Sequence, residues 1–192
     1  MRTRTRTWVC GSSVAALLLV GTGTAAASPP APGPGAGTSD GAIGYATALL
    51  YGEDRTGGGG AESLFEAYAP AGVPAFARGE VFIGGYECLT EDSVPAQVTG
   101  LESARATGWL RYECGSAEGT VRGYAAVHLR WTGHGEVVEQ SWTDEEGCTV
   151  TLQVRPARVT GGMLAVVPGV GSAVLTLNAE DDADIRQERR TC

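Results

Sequence analysis

The sequence predicts an all-β domain, an antiparallel sandwich or barrel of about eight to ten short strands stapled by disulfides. Three observations lead there. Apolar residues recur at period two in three separate segments, turn-forming residues punctuate the chain between segments, and four cysteines follow what reads as an export signal.

The export signal comes first along the chain. Residues 1–8 carry Arg2, Arg4 and Arg6 and no acid, ahead of an apolar run at 14–20 and small residues at 24–27. That order is a signal peptide over 1–27, with cleavage expected after Ala27. Its apolar core is too short to span a bilayer, which takes about 20 residues. Cys10 precedes the apolar core and no cysteine follows it immediately, so lipid attachment is not expected. The expectation is an extracellular protein with no membrane anchor after cleavage. Residues 28–40 are rich in Pro and Gly and read as an extended lead. A single β-rich domain is expected over 41–192, long enough to bury an apolar core.

Three strands are carried by alternation alone. Ala104, Ala106, Gly108, Leu110 and Tyr112 alternate with Arg105, Thr107, Trp109, Arg111 and Glu113. Val121, Gly123, Ala125, Val127, Leu129 and Trp131 alternate with Arg122, Tyr124, His128 and Arg130. Cys148, Val150, Leu152 and Val154 alternate with Thr149, Thr151, Gln153 and Arg155. Each pattern fits a half-buried strand. Further strands are expected over 43–51, 63–68, 80–88, 137–142, 157–160, 173–177 and 184–190. Turn chemistry separates them at 57–60, 115–116, 133–135, 145–147, 161–162 and 181–182. The segment 61–69 is open between strand and short helix, because Glu62, Leu64, Phe65 and Tyr68 also fit helical spacing.

Excluding Cys10, the cysteines are Cys88, Cys114, Cys148 and Cys192. Four cysteines allow three pairings that the sequence does not separate; Cys88 with Cys114 and Cys148 with Cys192 is the expected one. No C-x-x-C spacing or adjacent histidine points to a metal, and no cofactor is expected.

Charge excludes some partners. The chain has 14 basic groups, all arginine, against 22 acids. Such a balance argues against nucleic acid or anionic lipid as a partner and favours a soluble monomer. Codon usage of a GC-rich genome accounts for the lack of lysine better than guanidinium chemistry does.

Motifs of familiar catalysis are missing. The only histidines are His128, on a strand, and His134, between two glycines, and no nucleophile elbow or zinc helix is present. A carboxylate-pair hydrolase stays open as an alternative, since the many acids supply candidate pairs. So does a secreted protease inhibitor acting through a cysteine-flanked loop at 89–94. The acidic stretch 178–184 offers oxygen ligands for calcium but lacks the EF-hand pattern, and a solvated turn is expected there.

One surface stands out. If the segments at 104–112 and 121–131 pair as a hairpin, Arg105, Trp109, Arg111, Tyr124, His128 and Arg130 share its outward face. This aromatic and cationic patch would suit a sugar or an acidic partner, while ordinary cross-strand pairing is the structural reading of the same residues.

The run Val127-His128-Leu129-Arg130-Trp131-Thr132-Gly133-His134-Gly135, followed by Arg155-Pro156-Ala157-Arg158-Val159-Thr160-Gly161, resembles a pattern in uncharacterised secreted proteins of actinomycetes. Ser103-Ala104-Arg105-Ala106 is similar to their preceding strand opening. The resemblance spans roughly residues 103–161 and implies a secreted β-rich domain. It supplies no catalytic or binding residue, and gives Trp131 a packing role. The functional expectation is a non-catalytic binding or envelope-associated module whose partner is an extracellular protein or glycan.

Overall fold

A computed structural model describes residues 42–55, 59–117, 119–177 and 183–192. The expected signal peptide and lead lie outside these residues, as does most of the acidic stretch at 178–184. Every regular element described is a strand: β1 (Ile43–Glu53), β2 (Gly60–Ala69), β3 (Phe76–Ile83), β4 (Tyr86–Thr90), β5 (Val94–Thr99), β6 (Ser103–Ser116), β7 (Gly119–Gly133), β8 (Val138–Thr143), β9 (Thr149–Val167), β10 (Gly171–Leu177) and β11 (Ala183–Thr191). No described helix is long and apolar enough to cross a membrane.

All pairings are antiparallel and they close on themselves. The ladder runs β1–β2–β3, then through β4 and β5 lying end to end, then β6–β7–β9, and returns to β1 through β10 and β11 lying end to end. The result is a barrel with eight strand positions, a width that side chains alone can fill. Strand β8 stands off this ring, paired to the first half of β9.

Alternation sends one side chain in two into the barrel. Trp131, Tyr112, Phe65, Leu110, Leu129 and Met163 are among its largest buried residues, set among Ala46, Ala48, Ala67, Ala104, Ala125 and Ala165. Large residues over small ones suit a narrow, tapering interior. The Trp131 ring stacks on Phe65 at 6.3 Å, and its Nε1 donates to the Thr47 carbonyl at 2.9 Å. The packing role expected for Trp131 is therefore the one it has.

Both disulfides form as expected, Cys88–Cys114 and Cys148–Cys192. Cys88 and Cys114 face each other directly across β4–β6. Cys148 and Cys192 continue the β9–β11 ladder just past Thr149 and Thr191, tying the end of the chain to the barrel.

Three details differ from the sequence expectation, and one open choice is decided. The expected strand at 80–88 is a hairpin, because Gly84 and Gly85 take φ of 57° and 80° and turn the chain between β3 and β4. At 61–69, left open between strand and helix, the strand expected over 63–68 is the one that forms: Ala61, Ser63, Phe65 and Ala67 are buried while Glu62 and Leu64 face out. Strand β5 was not foreseen, and with it the count reaches eleven.

The segments expected at 148–155 and 157–160 are one 19-residue strand, β9, and Gly161-Gly162 lies inside it rather than in a turn. Pro156 sits where β9 changes neighbours on one side, from β8 at Val154 to β7 at Ala157; its carbonyl accepts from the His134 N–H at 2.9 Å, and its missing N–H falls where the β7 ladder ends. Gly161 takes φ of 91°, and a Cβ there would lie 2.0 Å from the His128 carbonyl oxygen. Only glycine lets the two strands approach so closely.

Candidate functional site

Among the described residues the interior is lined by buried, mostly apolar side chains, and the predicted patch lies on an outer face. Strands β6 and β7 pair over their whole length, which puts the six residues of the predicted patch on one outward face. The register sets Arg105 opposite Arg130, Thr107 opposite His128, Trp109 opposite Ala126 and Arg111 opposite Tyr124. Trp109 is 73% exposed and Tyr124 is 44% exposed, values at which a large aromatic ring has little protein against it.

The face is wider than the hairpin. Strand β7 also pairs with β9, and β9 with β10, so Leu164 lies beside Ala126, Val166 beside Tyr124, and Val174 beside Leu164. Leu164, Val166 and Val174 are all exposed. A shallow trough of about 430 Å³ runs between Leu164 and Val174, walled by these two and by Ala126, His128 and Thr176 and floored by Gly162. Glycine is required at this floor, because a Cβ on Gly162 would meet the Leu175 carbonyl oxygen at 2.6 Å. Trp109 stands beside the trough, one strand over from Ala126.

The six predicted residues are not equivalent. Arg111 is held by Asp92, which accepts from its Nε at 2.9 Å and from its backbone N–H at 3.0 Å. That clamp comes from the turn between β4 and β5. It also draws residues 91–93 against the sheet, and the buried Val94 opens β5. Thr107 Oγ1 lies 3.5 Å from His128 Nδ1.

Arg105 and Arg130 stand apart from the arginines that hold carboxylates. Arg155 binds Glu102, Arg186 binds Asp184, and Arg190 binds Asp144 and Glu146. Arg78 covers the Tyr68 ring at 5.3 Å, and Arg122 faces Glu113 across the hairpin. Arg105 faces Arg130, and a polar depression of about 400 Å³ lies around the two of them.

A second outward face, on β1, β2 and β3, is also rich in aromatic side chains. There Tyr68 packs edge-on to Tyr45 at 5.6 Å and stacked on Phe76 at 5.4 Å. Its hydroxyl donates to the Glu66 carboxylate. Burial, and then this carboxylate, push the Tyr68 hydroxyl up to about 12. Next to it Thr47 donates to Asp184 at 2.9 Å, and Arg186 donates to both oxygens of Asp184 at 2.8 and 2.7 Å. Its polar groups bind one another.

Among the described residues no group of three His, Cys, Asp or Glu side chains is placed to hold a metal. Asp184, from the acidic stretch considered for calcium, is taken up by Arg186 and Thr47. Comparison with family models, curated proteins and solved structures finds no match.

Proposed function

We propose that this protein is a secreted, non-catalytic module that binds an extracellular glycan on the outer face of β6, β7, β9 and β10. The observation that carries the reading is Trp109, 73% exposed beside a trough floored by Gly162. A sugar ring has an apolar C–H face and a rim of hydroxyls. It matches an indole that offers a flat apolar surface, next to polar groups such as Thr107, His128 and Thr176 that donate and accept at its edge.

Size favours a sugar over a protein. The trough, at about 430 Å³, falls in the ~300–1,000 Å³ range of small-ligand sites. A stable protein partner covers about 800 Å² per side, and here the apolar strip is narrow and bordered by arginines. Two disulfides support an oxidising destination, in keeping with the signal peptide read at residues 1–27.

The test is retention of the purified protein on immobilised polysaccharides and on isolated cell envelopes, with Trp109→Ala beside it. Binding that the substitution weakens at least tenfold, with unchanged melting temperature, is the expected result. A protein retained by no glycan, or retained equally after the substitution, sinks the proposal.

A further inference from the structure

Arg105 and Arg130 are direct partners in the β6–β7 ladder, and both are exposed. Their Cβ atoms are then only ~4.5–5.5 Å apart. Among the described residues neither has an ion pair with a carboxylate. Like charges set opposite each other weaken a ladder. The same hairpin shows the stabilising arrangement near its other end, where Glu113 faces Arg122. In a chain with 22 acids and 14 arginines, carboxylates to neutralise the pair are plentiful, yet among the described residues none forms an ion pair with it.

What surrounds the pair is suited to an anion. Gln97, Thr99, Thr107 and His128 line the depression with it. Hydroxyl, amide and imidazole groups donate hydrogen bonds, and two guanidinium forks bind oxyanions in bidentate fashion. We infer that this depression is an anion subsite and that the glycan held at the trough is acidic, carrying carboxylate, sulfate or phosphate groups. The inference rests on the glycan-binding reading above.

The geometry joins the two sites. Arg105 and Trp109 are four residues apart on β6, roughly 13 Å along the strand, and both point outward. His128 lines both the trough and the depression. One short oligosaccharide therefore spans them, its ring against Trp109 and its anionic group between the arginines. The acidic surface elsewhere repels a dense polyanion, so the fitting ligand carries anionic groups at intervals along a mostly neutral chain.

The experiment titrates the full chain with four acidic probes and one neutral control. The probes are a hyaluronan hexasaccharide for carboxylate, a chondroitin sulfate hexasaccharide for sulfate, a glycerol phosphate oligomer for phosphate and hexaglutamate for a peptide. The control is the carboxyl-reduced hyaluronan hexasaccharide. At least one acidic glycan should bind about tenfold or more tightly than the neutral one. Arg105→Gln and Arg130→Gln should each abolish that difference, and Arg130→Lys should keep part of it. Without ligand, Arg130→Gln should melt no lower than the parent protein, which separates a lost ligand contact from a damaged fold.

Equal binding of acidic and neutral glycans, unmoved by the arginine substitutions, overturns the anion subsite and leaves the glycan reading standing. Binding of none of the glycans overturns both. Binding of hexaglutamate alone also overturns both, in favour of an acidic peptide.

Discussion

The barrel has two aromatic outer faces that treat their polar groups in opposite ways. On β1, β2 and β3, Tyr68 is bracketed by Tyr45 and Phe76, capped by Arg78 and hydrogen-bonded to Glu66. On β6, β7, β9 and β10, Trp109 stands clear, apolar side chains meet solvent, and Arg105 faces Arg130. The first face serves the fold, because each of these groups is satisfied from within. The second costs the fold something at each point, and a ligand would satisfy what the protein leaves open. An exposed aromatic is ordinary on a protein surface. Its coincidence with an uncompensated arginine pair and a glycine-floored trough is the unusual feature.

Substitutions that exchange the behaviour of the two faces test this contrast. The largest effect should come from Trp109→Ala, with glycan affinity falling at least tenfold, about 1.4 kcal/mol, and stability changing by no more than about 0.5 kcal/mol, as for ordinary surface positions. Tyr68→Ala should do the reverse. It removes the contact shared by Tyr45, Phe76 and Arg78, and chemical denaturation should show a loss of about 1–2 kcal/mol with glycan binding intact. Equal stability losses from both substitutions would erase the distinction.

A pH titration sharpens the same contrast. Tyr68 ionises at about 12 in the fold against an ordinary value of 10.0, so folding favours its neutral form. Its contribution is whole below pH 10 and is lost as pH rises toward 12. Burial also raises Tyr112 inside the barrel. The melting temperature should therefore fall above pH 10, and Tyr68→Phe should reduce that fall without removing it. The smallest effect concerns the arginine pair. Arg130→Glu turns a like-charge ladder pair into an opposite-charge one and should raise stability by about 0.2–1 kcal/mol, with binding of acidic ligands lost.

Much of this was legible in the sequence because it is local. Strands β6 and β7 form a hairpin, so alternation at 104–112 and 121–131 was enough to put Arg105, Trp109, Arg111, Tyr124, His128 and Arg130 on one face. Alternation does not reveal which strand lies next to that hairpin. Leu164, Val166 and Val174 reach the patch only because β9 crosses back to β7 past β8. The run Met163-Leu164-Ala165-Val166-Val167 is apolar at every position, so it carries no sign of which side chains face out. Asp92 holds Arg111 from 19 positions away, a contact with no trace in spacing. Gly161-Gly162 was read as a turn because paired glycines usually punctuate; here they let β7, β9 and β10 lie close and leave the trough its floor.

The sequence does not separate the three disulfide pairings, but the expected Cys88–Cys114 pair has a related local basis. Cys88 and Cys114 each close a Tyr-Glu-Cys segment, and the two segments lie antiparallel, which brings the cysteines together as ladder partners. Losing Cys148–Cys192, whose ends are 44 positions apart, should cost about 2–4 kcal/mol, and the Cys148→Ser and Cys192→Ser double substitution measures it. Binding at the trough should survive in the fraction that stays folded, since this bridge lies at the far end of β9 from Leu164.

The measurement that tests the central claim most directly is hydroxyl-radical footprinting of the full chain, free and bound to the glycan that retains it. The account predicts strong protection of Trp109 and Tyr124 on binding, with Tyr45, Tyr68 and Phe76 labelled as before. Protection of the Tyr68 cluster with Trp109 unchanged would contradict it and assign recognition to the other face.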